Sequence, residues 1–110
     1  MDKINFQPCQ IEQYGNGNFG LWLPEQTGLI EWYWEIGSQG TLWCLAIRAV
    51  ATLDSIDISA AMMEPEGDVL EVYARDIAVL ESIAMIVKRL IHSKKVMIRA
   101  FDYVQETGMQ

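Results

Sequence analysis

The chain has 110 residues, 51% hydrophobic and 21% charged, with a net charge of −7 and pI near 4.5. That length gives one domain, 1–110, whose folding buries over about 60% of the unfolded chain's surface, so a core forms without metal or disulfide. The acidic balance argues against docking on phosphate backbones or on anionic membrane surfaces, both of which need a basic face. It suits a basic partner, or simply solubility.

The charge is uneven. Residues 1–86 hold 13 acids and 3 bases (−10), and residues 87–110 hold 2 acids and 5 bases (+3). Cys9 and Cys44 stand far apart with no metal-ligand spacing, so each reads as a small buried hydrophobe. The opening MDKINFQPC lacks an apolar stretch of the signal-peptide kind, and no run is long enough to span a bilayer. The expected compartment is the cytoplasm.

Residues 3–24 read as a hairpin. Pro8 marks an edge strand or bulge, Gly15-Asn16-Gly17-Asn18 is a dense turn signal, and Phe19, Leu21 and Leu23 share one face. A third strand is expected over 29–36, LIEWYWEI. Its core face would be Ile30, Trp32, Trp34 and Ile36; Glu31, Tyr33 and Glu35 would look outward. The plainer account of that outer face is a solvated sheet surface with one amphipathic tyrosine. The other is an interface, where tyrosine offers rigid area and a polar tip.

Gly37 to Gly40 breaks the strand. Thr41 is the expected cap of a helix through about Leu53, apolar almost all round except for Arg48, and hence sandwiched. Ile56, Ile58, Ala60 and Met62 read as the inward face of a strand. Pro65 and Gly67 would close a three-residue hairpin loop, and Leu70, Val72 and Ala74 would face inward on the return. The period then shifts from two to about 3.6. Ile77, Leu80, Ile83, Ala84, Val87 and Ile91 mark a helix stripe, with Asp76 as cap. A last helix over 94–106, capped by Ser93, is expected from Val96, Met97, Ala100, Phe101 and Val104; VMIRAF as a strand is the alternative. The fold class is therefore α+β: an antiparallel sheet of about five strands with two to three helices on one face, in the order β-β-β-α-β-β-α-α.

Chemistry is sparse. His92 is the single histidine and has no nucleophile near it in sequence. No nucleophile elbow, phosphate loop or zinc motif occurs. Glu64, Glu66 and Asp68 cluster at a hairpin tip but miss the calcium-loop spacing. Met62, Met63, Met85 and Met97 fall on elements expected to fill the core. No enzyme, cofactor or metal is expected.

The second half resembles the Imm51 family of immunity proteins from bacterial polymorphic-toxin and contact-dependent growth inhibition systems. Gly40-Thr41-Leu42-Trp43 on a buried helix carries the resemblance. So do Pro65-Glu66-Gly67-Asp68, Tyr73-Ala74, Leu80 and Ile83-Ala84, with Glu64 where the family usually has Asp. The resemblance implies a protein that binds and neutralises a cognate toxin domain in the cytoplasm. A nuclease toxin has a basic cleft, which an acidic protein can cover and reach quickly by electrostatic steering. Glu31, Tyr33, Glu35, Glu64, Glu66, Asp68 and Glu71 are the expected partner-binding residues. Two other possibilities stand beside this one: a small-molecule-binding or enzymatic domain with a pocket lined by Trp22, Trp32, Trp34 and Trp43, and a homo-oligomer built on the outward sheet face.

Overall fold

A computed structural model describes residues 6–26 and 38–108. Within them the chain forms β1 (Gln10–Gln13), β2 (Phe19–Leu23), α1 (Gln39–Leu53), β3 (Met62–Glu66), β4 (Val69–Ala74), α2 (Ile77–His92) and α3 (Lys94–Thr107). The class is α+β, as expected. Four strands form one antiparallel sheet in the order β1-β2-β4-β3. The strand expected over 29–36 lies outside the described residues, which therefore show β-β-α-β-β-α-α.

Period-two alternation sets the sheet's two sides. Leu21, Leu23, Leu70, Val72 and Ala74 are buried on the inner side. Helices α1 and α2 pack there, and α3 packs across both of them. The sandwiched position of α1 explains its composition: from Leu42 to Ala51 only Arg48 is exposed. The stripe on α2 buries Leu80, Ile83, Ala84, Val87 and Leu90, while Ile77 at its start is exposed. α3 is a helix and not a strand, and it buries Met97, Ala100, Phe101 and Val104.

The helix caps follow local chemistry. Asp76 accepts from the Ala78 N–H at 2.9 Å, and Ser93 from the Val96 N–H at 3.3 Å, each satisfying a donor that the first turn leaves free. α1 departs from expectation. It starts at Gln39, two residues before Thr41, after Ser38, whose side chain does not cap it. The caps come from the β3–β4 turn instead. The Gly67 carbonyl accepts from the Gly40 N–H at 2.9 Å, and Asp68 Oδ1 accepts from the Gln39 N–H at 3.4 Å.

That turn is also tighter than expected. Glu66 pairs with Val69 and Pro65 with Leu70, so the loop is the two residues Gly67-Asp68 and Pro65 sits inside β3. Gly67 has φ of +58° at the first loop position, the position at which a type II′ hairpin turn needs glycine. Pro65 is tolerated because β3 is an edge strand and need not donate on both sides.

The strand expected from Ile56 begins only at Met62. Asp57 Oδ1 accepts from the Ser59 N–H at 2.9 Å and from its hydroxyl at 2.6 Å. This local bonding competes with a ladder. Ile56 instead bonds back to α1, its N–H reaching the Ala51 carbonyl at 2.8 Å. The parity slips with it: Met62 is 61% exposed and Met63 half-buried. Met85 is exposed too, so of the four methionines expected to fill the core only Met97 is fully buried. No described helix is long and apolar enough to cross a membrane.

Candidate docking face on the outer side of the sheet

With the helices on one side, alternation delivers every second strand residue to the other. Two cross-strand rows result. Gln10, Trp22, Glu71 and Glu64 lie side by side across β1, β2, β4 and β3; Glu12, Gly20, Tyr73 and Met62 form the next row. Glu66 and Val69 continue the face toward the hairpin tip. None of the described strand positions on this side is Lys or Arg; Arg75, just past β4, is the nearest base along that strand.

Glu64 and Glu71 are direct cross-strand partners. Like charges facing each other in this way destabilise a sheet. Glu71 is held further by Tyr73, whose hydroxyl donates to Glu71 Oε2 at 2.7 Å. This bond to a carboxylate pushes the Tyr73 phenol up to about 12. Tyr14 lies over Gly20, and its ring centroid is 6.3 Å from that of Tyr73. Trp22 is 40% exposed. The result is a shallow hollow lined by Glu12, Tyr14, Trp22, Glu71 and Tyr73 over the β2 backbone.

Of the partner-binding residues expected from sequence, Glu64, Glu66 and Glu71 share this side. Asp68 does not join them; its carboxylate turns to the α1 N-terminus, where the helix dipole favours a negative charge. Glu31, Tyr33 and Glu35 lie outside the described residues. Glu12, Tyr14 and Tyr73 were not expected in a site, and Trp22 was expected only as a lining of the tryptophan pocket. The signal for Trp22 was present, because an inward Leu21 and Leu23 force the residue between them outward.

The tryptophan-lined pocket is not assembled by its two described members. Trp22 is on the outer face, whereas Trp43 is fully buried in α1 on the other side of the sheet. The indole N–H of Trp43 has no acceptor among the described residues. Cys9 and Cys44 are buried and unbridged; burial pushes the Cys9 thiol up to about 12 and also raises that of Cys44, against the pull of Arg48.

On the helical side one acid meets two bases. Asp54, at the end of α1, meets Arg89 of α2 at 2.6 Å and Arg99 of α3 at 3.5 Å. The hydrogen bond from Arg89 is the largest cause holding the Asp54 carboxyl below its usual range. No group of three or more His, Cys, Asp or Glu that could hold a metal occurs among the described residues.

No protein family matches the chain. No curated protein and no solved structure matches it either.

Proposed function

We propose that this protein is a binding protein of the immunity type, which covers a basic surface on a cognate toxin domain with the outer face of its sheet, in the cytoplasm and without catalysis or cofactor. One observation carries the proposal: Glu64 and Glu71 face each other on an exposed sheet surface with Trp22 beside them and no cation at any described strand position of that surface. A sheet shaped by stability alone does better with opposite charges at such a pair. Local costs of this kind collect where a surface serves a partner. Aromatic rings among the acids add rigid contact area, and the charge steers a basic partner inward.

The same role is what the short-motif resemblance to Imm51 proteins implies, which no family match accompanies. The acids of β3, and Glu12 on β1, also blunt edge strands against aggregation, but Glu71 lies on β4, which is not an edge. Self-association through this face is disfavoured, since two copies would set carboxylates against carboxylates.

Co-expression with the product of the neighbouring gene tests the proposal. Protection of the cells together with a co-purifying complex is the expected result. No complex, with stabilisation by small ligands in a thermal-shift screen, would replace it with a ligand-binding role.

A further inference from the structure

The hollow on the outer face has more than charge. Its floor at Gly20 carries no side chain, and the Tyr14 phenol occupies the space: a Cβ on Gly20 would lie 2.6 Å from Tyr14 Oη. Tyr14, Tyr73 and Trp22 therefore offer three ring surfaces around one depression. Glu12 on β1 and Glu71 on β4 stand on either side, with two strand spacings, about 10 Å, between their strands. Glu71 uses one oxygen to hold the Tyr73 hydroxyl. The Tyr73–Glu71 bond thus fixes a ring and a carboxylate in one unit.

Rings next to carboxylates distinguish between the two basic side chains. A guanidinium is flat, weakly hydrated and forked, so it stacks on a ring and bonds a carboxylate at once. An ammonium is a compact, strongly hydrated point charge that gains little from stacking. We infer that the hollow between Glu12, Tyr14, Trp22, Tyr73 and Glu71 receives an arginine side chain of the basic partner. This inference rests on the proposal that the face docks a basic protein, and it names the group that is recognised.

The test is titration of the purified protein with blocked tri-arginine and tri-lysine peptides at low salt, followed by calorimetry and by tryptophan fluorescence, with the contribution of the exposed Trp22 read as the difference from Trp22→Ala. The expected result is at least about fivefold tighter binding of the arginine peptide, the scale of one cation–π contact. Trp22→Ala should erase most of that preference. Gly20→Ala should do the same by displacing the Tyr14 ring, while Glu106→Gln on α3 leaves it unchanged. Circular dichroism melts confirm that each variant folds, and the comparison of the two peptides on the unaltered protein needs no variant. Equal affinity for the two peptides, no binding of either, or an arginine preference that survives Trp22→Ala would overturn the inference. If it fails in this way while Glu71→Lys still abolishes protection in co-expressing cells, the arginine pocket is wrong and the docking face stands. If Glu71→Lys is also harmless, both fall.

Discussion

The N–H of Gly40 donates to the carbonyl of Gly67 at 2.9 Å, which joins the first turn of α1 to the tip of the β3–β4 hairpin. A Cβ on Gly40 would press against the Val69 carbonyl oxygen and lie 2.8 Å from that of Gly67. Helix propensity alone favours alanine over glycine by about 1 kcal/mol. The clash is with backbone, which cannot swing aside, and overpacking of this kind costs about 1–3 kcal/mol. Gly40→Ala is therefore expected to lower stability on balance, as read by urea denaturation. A stabilised variant would show that the helix stands off the hairpin.

Relief of the Glu64–Glu71 opposition gives a second expectation. Glu64→Gln should raise stability slightly, by about 0.5 kcal/mol, and at the same time weaken binding of the basic partner. Opposite signs in melting and in binding are the mark of a residue kept for recognition. A variant that loses on both counts would make Glu64 structural.

Asp54 ties three helices together through Arg89 and Arg99. Its carboxyl is held below the usual value, so the stabilisation is present above the unfolded pKa, near 3.9, and is lost as pH falls through the folded value. The pair is partly exposed and screened, so Asp54→Asn should cost only about 0.5–1 kcal/mol at neutral pH. The difference from the unaltered protein should shrink at pH 3, as followed by denaturation at the two pH values.

Tyr73 gives a spectroscopic expectation. Its phenol is raised because the bond to Glu71 favours the protonated form. That stabilisation is complete below pH 10 and is lost as pH rises through about 12. In an absorbance titration of the folded protein, one tyrosine should ionise late, and Tyr73→Phe should remove that phase.

The buried thiols should be inert. Cys9 and Cys44 are both enclosed, and burial disfavours the reactive thiolate. A thiol reagent should label neither in the native protein and both in denaturant; fast native labelling would mean that the core opens.

The elements legible in the sequence were those in which period and cap agreed. α2 and α3 announced themselves through Asp76, Ser93 and their apolar stripes. The inward faces of β2 and β4 followed from simple alternation. What escaped notice depended on distant chain segments or on local side-chain bonding. The caps of α1 come from Gly67 and Asp68, far along the chain, so Thr41 looked like the cap and Asp68 like a binding residue. The strand before the hairpin was cut short by Asp57, whose side chain closes on Ser59; alternation cannot reveal that competition. The proposed docking face draws Glu12, Tyr14, Trp22 and Tyr73 from three separate segments, and the β1–β2 and β2–β4 pairings together put them side by side.

The most direct test is protection of cells that co-express the product of the neighbouring gene as the proposed toxin, comparing Glu64→Lys/Glu71→Lys with Asp102→Lys/Glu106→Lys on α3, all folded by circular dichroism. The account expects the sheet-face pair to lose protection and complex formation, and the helix pair to keep both. Full protection by the sheet-face variant, or equal loss in the two, would contradict it.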